Sequence, residues 1–209
     1  SLQIDDGHGV LEIVDDRVVI GPLVHDDLDR VGGDPARRLA AVVALVLVVA
    51  AFQSDDLTVT RSATISAAPA AVFKVVNDFR QWDAWSPWSK LDPKMTKSLD
   101  GPPEGIGAIY KWSGNNDVGE GSTKLVESKP NEKIAMKLEF VRPFAGSSDV
   151  RFTFLPEGTG TKVTWAMQGK KPFVGKLMGL FMNCEKMCGD QFLEGLANLK
   201  KIVEAAPKA

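Results

Sequence analysis

Phe173-Val-Gly-Lys-Leu-Met-Gly-Leu-Phe-Met-Asn-Cys-Glu-Lys-Met-Cys-Gly-Asp-Gln-Phe-Leu-Glu-Gly-Leu-Ala-Asn-Leu-Lys-Lys-Ile-Val-Glu-Ala205 decides how the rest of this chain is read. Leu177, Phe181, Cys184, Cys188, Phe192, Leu196, Leu199 and Val203 recur at spacings of three and four, which predicts one long helix over 173–205. Gly175, Gly179, Gly189 and Gly195 interrupt it. Each is less favourable than Ala in a helix by about 1 kcal/mol. Together they imply close packing against a sheet, or a bend near Gly189. An apolar stripe of this length needs a surface to cover.

That surface lies upstream. Leu57–Ile65 alternates, with Val59, Ala63 and Ile65 on one face. Pro69 suits the first turn of a helix over Ala70–Phe79, whose stripe is Val72, Phe73 and Val76. Strand signals then come in series at Met95–Leu99, Ile106–Trp112, Gly121–Ser128, Lys133–Val141, Asp149–Leu155 and Thr161–Gln168. The inward set is Tyr110, Trp112, Met136, Leu138, Phe140, Phe152, Phe154, Trp165 and Met167, joined from the helix by Phe181 and Met187. Turns at Gly114–Asp117, Pro130-Asn131 and Glu157–Gly160 make neighbouring strands antiparallel. The predicted fold is α+β. A curved antiparallel sheet of about seven strands wraps around the long C-terminal helix, with two short helices after the first strand. Sheet and helix cannot mate along their whole length, so a gap is expected between them.

Three of the five tryptophans fall in Arg80-Gln-Trp-Asp-Ala-Trp-Ser-Pro-Trp-Ser89. Pro87 stops any helix through the run, so it reads as a helical turn followed by a loop. Such a segment plugs a core or forms the lip of a pocket.

The first part of the chain is different. Residues 1–36 hold nine acids and two bases; residues 54–209 hold 21 Lys or Arg against 18 Asp or Glu. The bases are dispersed, which gives nucleic-acid binding little support. Residues 1–36 are expected to be an acidic tail without compact order, or sequence upstream of the true start. Within them Val10–Ile20 has the pattern of a small hairpin across Asp15-Asp16. Leu39–Phe52 carries no polar side chain, with Arg37-Arg38 before it and Asp55-Asp56 after it. Residues 37–54 therefore read as an anchor or signal segment, entering the membrane through residues 39–54. The charge asymmetry places the amino end in the cytoplasm. The domain at 55–209 then lies on the extracytoplasmic side of a bacterial inner membrane, or is exported if the small residues of Val48-Val-Ala50 mark a cleavage site.

Chemistry-bearing residues are few. Both histidines, His8 and His25, are in the tail. Their absence from the domain removes a Ser-His-Asp triad and the commonest general base. Cys184 and Cys188 cannot supply four zinc ligands, and as a helical pair they read as two small apolar residues. Gly101-Pro-Pro-Glu-Gly-Ile-Gly107 lacks a Gly-Lys-Ser/Thr and leads into a strand, so it reads as a loop over the cavity mouth. Asp83, Glu120 and Glu185, with the single tyrosine Tyr110, are the candidates for proton transfer. No metal or cofactor is expected, no catalytic set can be assigned, and catalysis is the less favoured expectation.

Ile65-Ser-Ala-Ala-Pro-Ala-Ala-Val-Phe73, Asn77-Asp-Phe79, Trp82-Asp-Ala-Trp-Ser-Pro-Trp88, Gly105-Ile-Gly107, Val163-Thr-Trp165 and Gly175–Phe181 resemble the START-like (SRPBCC) superfamily, in its polyketide cyclase/dehydrase and lipid-transport branch. The resemblance covers about residues 57–204 and implies the helix-grip fold. It also implies binding of a small hydrophobic or lipid-like ligand between sheet and helix. The expected cavity residues are Trp82, Trp85, Trp88, Tyr110, Trp112, Met136, Phe140, Phe154, Trp165, Met167, Phe181 and Cys184. The alternatives are a polyketide cyclase/dehydrase-like enzyme, which needs a buried polar group beside an apolar wall, and a protein-interaction module.

Overall fold

The computed structural model describes residues 11–14, 17–20 and 34–206. Residues up to Phe52 and those from Gln53 onward form separate units. In the first unit β1 (Leu11–Val14) pairs antiparallel with β2 (Arg17–Ile20), the expected hairpin. Asp15-Asp16 and the rest of residues 1–33 lie outside the described residues. The helix α1 (Pro35–Phe52) spans about 27 Å at the α-helical rise per residue. By length and composition it is apolar enough to cross a membrane, and the same description fits a signal sequence.

The second unit is a seven-stranded sheet in the order β3-β9-β8-β7-β6-β5-β4. The strands are β3 (Asp56–Ile65), β4 (Thr96–Asp100), β5 (Ile109–Ser113), β6 (Glu120–Lys129), β7 (Lys133–Arg142), β8 (Gly146–Glu157) and β9 (Gly160–Lys170). Every neighbouring pair is antiparallel. Register shifts between β6 and β7 fall at Glu120/Gly121 and Leu125/Glu127. Bulges of this kind add bend and twist to a sheet.

Short helices follow β3, as expected: α2 (Pro69–Asn77), then the Trp run as a 3-10 turn (Phe79–Gln81), α3 (Trp82–Trp85) and α4 (Trp88–Leu91). Pro69 opens α2, and Pro87 separates α3 from α4. The Asp78 carboxylate nucleates the run. It accepts from the Arg80 backbone N–H at 3.0 Å, from the Arg80 guanidinium twice at 2.8 Å, and from Gln81 at 3.2 Å.

The terminal helix departs from the single element predicted. It is α5 (Phe173–Gly179) and α6 (Cys184–Ala205), separated by Leu180–Asn183. Asn183 ends the break by accepting the Lys186 N–H at 2.8 Å, a side-chain N-cap. No bend is needed at Gly189. There the absent side chain leaves room for the Arg61 guanidinium from the inner face of β3, with which a Cβ would collide. α6 runs along β3 and is pinned at its far end, where Lys200 donates to Thr64 O at 2.9 Å and Glu204 accepts from Ser66 N at 2.7 Å.

Candidate functional site

Alternation along β8 and β9 sends Phe152, Phe154, Trp165 and Met167 to the concave face, where all are buried. The Trp run lies across them. Trp82 is held by a hydrogen bond from Nε1 to Val76 O at 2.9 Å. Trp85, 1% exposed, meets Trp165 with ring centres 5.6 Å apart and Phe152 at 6.1 Å. Trp165 stacks on Phe192 of α6 at 4.1 Å. Half-buried Trp88 closes on both from the side, 5.8 Å from Trp165 and 6.3 Å from Phe192. Edge-to-face and offset geometries of this kind add about 0.5–1.5 kcal/mol per pair beyond burial. Asn198 ties α6 to the run through Trp85 O at 3.3 Å, and Lys90 pairs with Glu194 at 3.1 Å.

The centre of the sheet–helix interface is therefore filled by rings. Two hollows, of about 300 and 480 Å³, lie elsewhere on the sheet. The first is lined mainly by outward residues such as Thr96, Ser98, Lys111 and Ser122; of the expected cavity residues only Trp112 touches it. The second surrounds the end where β3 begins, at Asp56, Ser148 and Lys170.

The other expected cavity residues are not gathered at one place. Tyr110 and Met136 join the buried set above. Trp112, half-buried, and Phe140, 36% exposed, meet ring to ring at 5.7 Å near the end of the sheet that holds Asp56. Phe181 is 77% exposed and Met187 52%, a correction to the inward placement read from the periodicity. The break at Leu180–Asn183 takes Phe181 out of the helical repeat that placed it inward. Cys188 packs half-buried against the core, and the Cys184 side chain lies outside the described set.

Three buried polar atoms in this region make no hydrogen bond: Trp85 Nε1, Trp165 Nε1 and Gln191 Oε1. Sequence reasoning missed them, because only ring orientation reveals which indole N–H has an acceptor.

The proton-transfer candidates separate. Tyr110 is buried, and its hydroxyl points to Asp83 Oδ1 at 3.4 Å. Burial, then the charge of Asp83, push the phenol well above its ordinary value. Lys97 Nζ donates to the same oxygen at 2.7 Å, and Ser89 Oγ donates at 3.1 Å. Glu120 lies apart, held below the usual carboxylate range by the Arg142 hydrogen bond at 2.8 Å. Glu185 is exposed in the first turn of α6. The Gly101–Gly107 loop is fastened to the end of α2 by the Asp78–Glu104 bridge and by Gly105 N to Asn77 O at 3.3 Å. Among the described residues no group of His, Cys, Asp and Glu is arranged to hold a metal ion.

An antiparallel sheet gripping a C-terminal helix, with its concave face lined by aromatic side chains, defines a helix-grip domain. Residues 56–204 match the family described as polyketide cyclase / dehydrase and lipid transport, and the chain belongs to that family. Similar solved structures include protein CV1439 from Chromobacterium violaceum, with TM-score 0.54, 16% identity, and 71% of this chain and 98% of that one covered. The Aha1 dimer from Colwellia psychrerythraea has TM-score 0.52 and 15% identity, over 73% and 99%. The di-domain ARO/CYC StfQ of the steffimycin biosynthetic pathway has TM-score 0.53 and 12% identity, over 71% and 51%. At these identities the likeness shows the fold alone. A search of curated proteins finds no match.

Proposed function

We propose that residues 55–209 bind a small hydrophobic or lipid-like molecule against the concave aromatic face beneath α6. Residues 37–54 tether this domain to a bacterial inner membrane, and residues 1–36 remain on the cytoplasmic side. The positive-inside bias of Arg37-Arg38 over Asp55-Asp56 supports that orientation.

One observation carries the ligand reading. Trp85 and Trp165, 1% and 3% exposed, bury two indole N–H donors without acceptors inside an otherwise apolar wall, and Gln191 Oε1 lies buried without a donor. A buried unpaired group costs about 1–3 kcal/mol. A guest with an apolar body and one carbonyl or hydroxyl offsets that cost, and such sites combine apolar walls with a few polar groups. Entry requires α5 and the first turns of α6 to shift. Little packing opposes this at α5 and the start of α6, where Phe181 and Met187 are already exposed; the Trp165–Phe192 stack is the contact that must yield. Native mass spectrometry of the full chain, gently extracted from its own membrane, tests the reading. A bound apolar guest is expected; only the bare polypeptide mass would contradict it.

A second reading, a cyclase/dehydrase-like enzyme, is favoured by Tyr110. Its buried, protonated hydroxyl beside Trp82 and Trp112 is a donor suited to orienting a substrate carbonyl. Turnover of a poly-β-ketone probe that is lost in Tyr110→Phe with binding retained would select this reading.

A further inference from the structure

We infer that the end of the domain where β3 begins is itself a membrane-contacting surface, seated in the bilayer interface by Phe144, Phe173, Phe181, Met178 and Met182. The inference rests on α1 being a membrane anchor.

Strand register puts these residues at one end. Asp56, at the start of β3, pairs with Lys170 at the end of β9; Gly169 pairs with Ser148; and Gly146, opening β8, pairs with Phe140. The β7–β8 turn with Phe144, and α5 leaving β9, therefore share the end at which the chain enters the domain. Nine of the fifteen exposed large apolar side chains in residues 53–206 lie on β7's last residues, that turn, α5, the Leu180–Asn183 break, or the start of α6. They include all four exposed phenylalanines of this unit: Phe140, Phe144, Phe173 and Phe181. Exposed apolar residues elsewhere, such as Ile106 and Leu155, are scattered singly. A concentrated patch marks an interaction surface; scattered residues do not.

Chain connectivity names the occupant. Phe52 ends the apolar helix, and Asp55 follows three residues later. The Asp55 carboxylate pairs with Lys176 of α5, and its carbonyl accepts the Lys171 N–H at 2.6 Å. Three extended residues reach about 10 Å at most, whatever direction the helix takes. With α1 in the membrane, α5 is held beside the bilayer in every molecule, at an effective concentration that a diffusing partner does not match. Most charges at this end are paired, as Lys170–Asp56, Lys137–Asp149 and Arg142–Glu120, and Lys171 and Glu139, which stand outside these pairs, are of opposite sign, so the rim carries little net charge. Docking is therefore expected on zwitterionic lipid, without a requirement for anionic headgroups. It also puts the partly covered Trp112 and Phe140 next to the bilayer, giving a lipid-like guest a route that avoids water.

Photo-crosslinking in the full chain tests this. p-Benzoylphenylalanine is placed in turn at Val43, Phe144, Leu155 and Phe181, all exposed positions where a large ring is tolerated. The protein is reconstituted in phosphatidylcholine vesicles, and adducts are read by mass. Lipid adducts are expected at Val43, Phe144 and Phe181, and none at Leu155, at the far end of β8. Lipid adducts at Val43 alone would overturn the docking surface and leave the anchor standing. Their absence at Val43 would remove the anchor and the docking with it. Chain-to-chain adducts at Phe144 and Phe181 would overturn the inference in favour of a second copy.

Discussion

The Trp165 indole of β9 and the Phe192 ring of α6 lie parallel, 4.1 Å between centres and 7° between planes, and through this pair the sheet grips the helix. Both are almost wholly buried, at 3% and 2% exposure. Phe192→Ala removes one plate of the stack and opens a void beside Trp165 and Trp88. The expected loss is about 3–5 kcal/mol, read by urea unfolding with tryptophan emission. A loss below about 1 kcal/mol would mean the stack is not what holds α6.

Gly195→Ala is expected to destabilise, although alanine is the better helix former by about 1 kcal/mol. Its Cβ would stand 2.8 Å from Trp165 Cζ3 and 3.2 Å from Pro87 Cδ. Neither ring can move without disturbing the cluster, and overpacking costs about 1–3 kcal/mol. A raised melting temperature for Gly195→Ala would show that helix and Trp run are less tightly apposed.

Asp78 sets an acid limit. The Arg80 side-chain hydrogen bonds hold its carboxyl below its ordinary value of 3.8. Since the folded value is depressed, the stabilisation is fully present above 3.8 and is lost as pH falls through the lower folded value. Asp78→Asn should lower stability at neutral pH by about 1.5–3 kcal/mol, the range for bonds to a charged acceptor, and flatten the acid limb of the stability profile. An unchanged acid limb would show that the Trp run does not depend on this cap.

Tyr110 gives the opposite sign. It is the single tyrosine, so its titration is read directly from tyrosinate absorbance. Burial raises its folded value above the ordinary 10.0. Its contribution is present below 10.0 and is lost as pH rises toward the folded value. Tyrosinate absorbance is expected to appear only above the ordinary range, together with alkaline unfolding. Titration near 10.0 in the folded protein would place the hydroxyl in solvent.

The meander through β7, β8 and β9 was legible because these strands alternate cleanly and are joined by short turns, whereas the pairing of β3 with β9 was not, since no short turn joins them. Pro87 announced the interruption in the Trp run, and it is there, but the loop expected after it is the short helix α4, which Pro87 opens as its N-cap. The helix break was not announced. Leu180-Phe-Met-Asn183 contains neither Gly nor Pro, and its one signal is Asn183, an N-cap type that periodicity ignores. The filled centre was also hidden. Alternation says that Trp85, Trp165 and Phe192 face the same space, but ring angles decide whether they leave room between them. Asp83 and Tyr110 were each visible as candidates. Their approach to 3.4 Å depends on the fold bringing α3 beside β5.

The most direct test of ligand binding is quenching of tryptophan emission by a brominated fatty acid added to the full chain in detergent. Heavy-atom quenching requires contact, so a guest beneath α6 must reach the indoles of Trp85 and Trp165. The account predicts saturable quenching that an unbrominated fatty acid reverses. Quenching that only rises in proportion to added probe, with no saturation and no competition, would contradict it.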